Sequence, residues 1–195
     1  MAKVNVLRKG FKSEAERKAE FYRAELKLSK FAPLDAFKLA EHLNVLVAGV
    51  SDVIPASEIK KLNNNSSQDK FSALLMKNVD DDPLIIHNDS DSIFRQQSNL
   101  MHELAHFICG HEIPKEIANL NLPTNLRYFN QTHEEEAKYL GGCLQITKAG
   151  LLWKTKQNCS VEEISEFYNA SVDMVKYRLN SSGVSTIRNR QRGSF

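Results

Sequence analysis

His102-Glu103-Leu104-Ala105-His106 places two imidazoles four residues apart, with a carboxylate beside the first. Each residue of an α-helix turns by about 100°, so positions four apart lie about 40° apart on one face. Both rings can therefore aim a nitrogen at one ion. Glu103, rotated to the flank, can take a proton from a water activated there. The chemistry such a helix supports is metal-assisted hydrolysis. With His102 as origin, His106, Arg95, Asn99 and Ser98 fall within about 60° of it, and Ile93, Leu100, Leu104 and Phe107 fall on the far side. One face packs in a core and the other lines a cleft. Cys109 lies on the ligand side, where it reads as small apolar filler at the cleft floor.

A catalytic zinc site has three protein ligands and one open position. His111 is one candidate for the third ligand, but the metzincin spacing needs Gly at 109 and His at 112, and here Cys109 precedes Gly110-His111. The other candidates are Glu134, Glu135 and Glu136, which point in different directions from one helix. Glu135 reads as the third residue of a capping box with Thr132. Glu136 points towards the side of Leu140 and Cys143. Glu134 shares a face with Lys138 and Gly141, and the small Gly141 would let the first helix come close. The expected ligand set is His102, His106 and Glu134, with Glu103 as the catalytic acid/base. Zn2+ is the expected ion; another divalent ion such as Mn2+ fits the same donors. For the group that stabilises the oxyanion, the sequence leaves His87, His111, Tyr128, His133 and Arg95 open.

These residues need elements to position them. Ser13-Glu14-Ala15-Glu16 has the pattern of a capping box before a helix in which Ala15, Ala19, Tyr22 and Leu26 repeat. A second helix is expected over 35–43 and a strand over 45–48. A short helix is expected from Pro55 and Ser57 to Leu62, with a polar loop over 63–67. Strands at 71–76 and 84–87, joined by the acidic turn 78–83, make a hairpin. Caps among residues 88–92 lead into the metal helix, 93–109. Further helices follow at 132–147 and, in two short pieces broken at Asn169-Ala170-Ser171, over 161–180. The expected fold class is α+β, a mostly helical body around a small three-stranded, mainly antiparallel sheet.

The chain has 195 residues, is 42% hydrophobic and 26% charged, and carries a net charge of +2. It is long enough to bury a core without disulfides, and its charge points neither to nor away from nucleic acid. Cys109, Cys143 and Cys159 are odd in number and contain no Cys-x-x-Cys pair, which fits free thiols in a reducing compartment. Residues 1–10 lack the apolar run of a secretory signal. No stretch reaches the roughly 20 apolar residues of a membrane helix. A cytoplasmic protein is expected.

With those residues in hand, the chain resembles the ImmA/IrrE family of bacterial zinc metallo-endopeptidases, which are gluzincin-like. Residues 10–54 look like the family's N-terminal helices and first strand. Ile85-Ile86-His87-Asn88 looks like the strand and turn before its metal helix. Arg95 stands seven before His102, and Leu100 to His106 match the core motif. The family's later Glu, three residues ahead of an alanine, falls on Glu134 before Ala137. Lys138 and Leu140-Gly141 depart from the family's Asn or Asp and its Phe-Ala. Lys138 could weaken metal affinity through the groups that orient the ligands. The resemblance implies a zincin-like metallopeptidase domain over 1–152 that cuts a specific helix-turn-helix repressor encoded nearby. Such systems occur in mobile elements, stress responses and toxin–antitoxin-like pairs.

Residues 153–182 read as a helix-turn-helix-like extension, followed by a basic tail, 183–195, with Arg188, Arg190 and Arg192. Lys176 and Arg178 on the second helix could enter a major groove, whereas Glu162, Glu163 and Glu166 on the first would repel phosphates. The alternative function is therefore a transcription-linked protein that binds DNA or a regulator, its metal structural or vestigial. Direct DNA contact is the weaker reading, and no membrane partner is expected.

Overall fold

The computed structural model describes residues 6–55, 57, 71–111 and 130–186. The expected helix beyond Ser57, the loop 63–67, Tyr128 and the arginines of the tail lie outside these residues.

Helix α1 (Phe11–Glu25) starts from Gly10, whose φ of 85° favours glycine, and no side chain caps it. The chain is already helical at Ser13, so the expected capping box there does not form. An N-cap needs an extended backbone with unsatisfied amides ahead of it. Here the amides of Ser13 and Glu14 already bond to the Gly10 carbonyl. Glu16 is instead used at long range. Its Oε1 accepts from Arg178 Nη2 at 2.6 Å and its Oε2 from the Lys148 amide at 2.9 Å. Arg23, on the same helix, is fully buried. Its guanidinium donates to the carbonyls of Ala19, Ala32, Leu144 and Gln145, and burial pushes its pKa down to about 10. A fork of five donors answered by carbonyls is how a buried arginine is made tolerable without a carboxylate.

Asp35 caps α2 (Ala36–His42) by accepting from the Lys38 amide, within the span expected for a helix. Strand β1 (Leu46–Gly49) leads into the one-turn helix α3 (Val50–Val53). Strands β2 (Ala73–Lys77) and β3 (Pro83–His87) form the expected hairpin. At its turn Asn78 Oδ1 accepts from the amides of Asp80 and Asp82, and Asp81 sits at φ 68°. The sheet order is β1-β3-β2, with β1 parallel to β3. One pair of each kind makes the sheet mixed, and β2 is left at an edge.

Helix α4 (Ile93–Cys109) carries the two histidines and ends at Gly110, in the left-handed conformation. Gln97, Leu100, Met101, Leu104 and Ala105 are its buried residues. Ile93 is 53% exposed, contrary to the wheel. Gln97 ties this helix to α2, accepting from the Ala36 amide and donating to Asp35. Helix α5 (Gln131–Gln145) is capped by Asn130, which accepts from the amides of Thr132 and His133. The capping box expected at Thr132 is thus displaced by an Asn two residues earlier. Helices α6 (Lys148–Lys156), α7 (Val161–Tyr168) and α8 (Val172–Ser181) complete the described chain.

Two buried clusters result. One joins α1, α2, the sheet, α4 and α5 through Phe11, Leu39, Ile85, Leu100, Leu104 and Leu140. The other joins the start of α6 to α7 and α8 through Ile146, Leu151, Ile164, Tyr168, Val175 and Leu179. Each fully buried aliphatic side chain contributes about 1.5–3 kcal/mol.

Candidate metal centre

Helices α4 and α5 meet at Gly141. A Cβ there would stand 2.9 Å from the Met101 carbonyl oxygen and 3.2 Å from the His102 Cα and amide. Main chain against main chain is therefore the contact, as the small residue at 141 predicts. It brings Glu134, two turns earlier on α5, opposite the histidines of α4. His102 Nε2 and His106 Nε2 are 3.2 Å apart. Glu134 Oε2 is 3.3 Å from His102 Nε2, and its Oε1 is 3.4 Å from His106 Nε2.

Those separations test whether an ion fits. Donors about 2 Å from a tetrahedral ion stand roughly 3.3 Å from one another, which the three spacings match. Among the described residues His102, His106 and Glu134 form the group of donors that could hold a metal ion. The protonation of His106 and Glu134 suits it. Burial, and then the neighbouring His102, push His106 down to about 4 despite Glu134, so its ring is neutral at pH 7. The hydrogen bond with His102 holds the Glu134 carboxyl below its ordinary value. Cys109 is partly buried against the main core, and burial raises its thiol pKa; it is not one of this group.

Glu103 lies between the histidine pair and the sheet. Its Oε2 accepts from the Leu75 amide of β2 at 3.0 Å. Leu75 is paired with Ile85 across the hairpin, so the edge strand orients the carboxylate. Sequence reasoning did not foresee this link, because it joins a backbone amide to a side chain 28 positions away.

The residues left open for the oxyanion separate. His87 is buried on β3 in an edge-on contact with the Phe37 ring, and its Nδ1 has no hydrogen-bond partner among the described residues. Arg95 pairs with Asp91 near the start of α4. His111 is behind His106, its Nδ1 3.0 Å from His106 Nδ1 and its Nε2 3.2 Å from Glu136 Oε2. His133 stacks on His111 with ring centroids 4.3 Å apart. Lys138 extends over the Tyr177 ring of α8.

A helix bearing two histidines and a glutamate, crossed by a second helix bearing another acid and backed by a small mixed sheet, defines the class of compact metallopeptidase-type folds. The particular family is the peptidase family Peptidase_M78, the IrrE N-terminal-like domain, which matches residues 58–180, and the chain belongs to it. The resemblance read from the motifs is thereby shown. No curated protein matches the chain. A solved structure titled "Mycobacterium tuberculosis transcriptional regulator" is similar in fold, with a TM-score of 0.54 and 12% identity, over 86% of this chain and 46% of that one. The chain thus spans less than half the length of that structure. No described helix is long and apolar enough to cross a membrane.

Proposed function

We propose that this chain is a zinc-dependent endopeptidase of the cytoplasm that hydrolyses one kind of protein, a helix-turn-helix transcriptional repressor. The observation that carries the reading is the convergence of His102, His106 and Glu134 at tetrahedral spacing, with Glu103 anchored beside them. His102, His106 and Glu134 would hold the ion, which when bound supplies a Lewis acid that activates water and polarises a carbonyl. Glu103 is the proton carrier. Its carboxylate receives the proton of the attacking water and returns it to the leaving amine. The Leu75 amide fixes the orientation of that carboxylate, so little motion is needed between the two transfers.

The repressor as substrate is supported by the family resemblance and by the similar structure titled a transcriptional regulator. On this reading residues 1–152 are the peptidase domain and 153–182 an appended helical unit. A second reading, a DNA- or regulator-binding protein, has one observation in its favour. Helices α7 and α8 are joined by a tight turn with Asn169 in the left-handed conformation, as in helix-turn-helix units. Against it, Arg178 is fully buried and bonded to Glu16 and the Ile146 carbonyl. The sequence had offered that side chain to a major groove, and it faces inward.

The test compares the unmodified chain with Glu103→Gln. Metal content near one per chain is expected in both, with cleavage of the repressor encoded beside this chain lowered on the order of 10²–10⁴-fold in the variant. Unchanged cleavage would remove Glu103 from the mechanism.

A further inference from the structure

Behind His106 runs a line of polar groups that the proposed reaction does not use. His106 points Nε2 towards His102 and Glu134, and its other nitrogen meets His111 Nδ1 at 3.0 Å. His111 Nε2 meets Glu136 Oε2 at 3.2 Å, and Glu136 Oε1 accepts from Arg8 Nε at 2.9 Å. The side chains of His111 and Glu136 are each only 6% exposed. Arg8, on the segment before α1, also pairs with Glu14 at 3.0 Å.

The protons along this line follow from one requirement. A nitrogen that binds a metal offers a lone pair, so a neutral His106 bound through Nε2 carries its hydrogen on Nδ1. That hydrogen needs an acceptor, and His111 Nδ1 is placed to be one. His111 must then carry its own hydrogen on Nε2, where the Glu136 carboxylate accepts it. Arg8 in turn offsets the charge of a nearly buried carboxylate, which alone would be costly. His133, stacked parallel on His111 with only 2° between the planes, holds the His111 ring against rotation.

We infer that His111, Glu136 and Arg8 are positioning residues for the metal: through hydrogen bonds they fix the tautomer and ring angle of His106 and strengthen it as a ligand. The inference rests on the reading of His106 as a ligand. It adds a consequence for assembly, because the line ends on the N-terminal segment. Docking of Arg8, ahead of α1, becomes a condition for a tight site. Carboxylate and carbonyl partners behind metal-binding histidines act this way in general, and losing one costs roughly 10–100-fold in metal affinity. Here an imidazole is interposed between ligand and carboxylate, so the line reaches Arg8, more than ninety positions before the motif.

The experiment measures Zn2+ affinity by competition with a chromophoric chelator, and the visible absorption of the Co2+-loaded protein, for the full chain and three variants. His111→Phe keeps a flat ring and removes the acceptor. Its Zn2+ dissociation constant should rise roughly 10–100-fold, with altered Co2+ absorption bands. His111→Gln, which retains an acceptor, should recover part of that loss. Arg8→Met, at a position about half exposed, should shift affinity in the same direction by a smaller factor. It serves as the decisive variant if His111→Phe does not fold. Unchanged affinity and Co2+ absorption in His111→Phe, or in Arg8→Met should that stand in, overturn the inference while the unmodified chain still binds one metal. If the unmodified chain binds none, the ligand reading itself is what fails.

Discussion

Among the described residues two groups of ionisable side chains, first the His102–His106–Glu134 cluster and second the Arg178–Glu16 pair, are built on opposite principles. At the second, Arg178 of α8 is fully buried, with Glu16 of α1 at 2.6 Å and the Ile146 carbonyl at 2.9 Å. Opposite charges meet there and donors find acceptors. At the first, two imidazole nitrogens face each other at 3.2 Å with a carboxylate across from both. Two rings of one kind crowded together gain little from each other, and His106 is held uncharged there. A group satisfied within itself is an element of architecture. A group whose lone pairs converge on a shared point is arranged for something that comes from outside the chain. The contrast teaches where stability resides and where function does.

That contrast can be broken by measurements on the chelator-treated protein. The largest effect should come from Arg178→Met, which takes from the Glu16 carboxylate its charged partner and leaves it the Lys148 amide. A loss of about 3–5 kcal/mol is expected, seen as a fall in Tm of roughly 6–20 °C. Next comes Gly141→Ala, whose new methyl meets the Met101 carbonyl oxygen at 2.9 Å. Overpacking of this kind costs about 1–3 kcal/mol, and urea denaturation would report it. The same variant should bind Zn2+ more weakly than the unmodified chain, because the helices that carry the donors are pushed apart. Asn130→Ala removes the cap of α5 and should cost about 0.5–2 kcal/mol, read from the same urea curves. The smallest effect belongs to His102→Ala, a change within about 0.5 kcal/mol together with loss of Zn2+ binding by calorimetry. If His102→Ala instead unfolds the metal-free chain as readily as Arg178→Met does, the distinction between the two groups is false.

What could be read beforehand divides along physical lines. His102, His106 and Glu134 came from helical period and from the small residue at 141, because facing positions on regular helices are set by sequence spacing. Helix starts near residues 35, 93 and 161 were legible for the same local reason. Capping boxes at Ser13 and Thr132 were misplaced. The pattern is necessary but not sufficient, and Gly10 and Asn130 begin those helices earlier. The parallel pairing of β1 with β3 left no local mark, since strand direction in a sheet is a property of the connection. The inward turn of Arg178 and the carbonyl nest around Arg23 were also hidden. Both look like ordinary surface cations until distant segments supply their acceptors. The same holds for Glu103 on the Leu75 amide and for His111 on Glu136, partners separated by 28 and 25 positions.

Gly141 has a consequence of a different kind. Because backbone touches backbone at that crossing, the gap between the two helices is not set by any rotamer. Exchanging aliphatic residues elsewhere in the core would change volumes and leave this gap alone. The distance across which the donors face each other is therefore tied to the bare α-carbon at this one position.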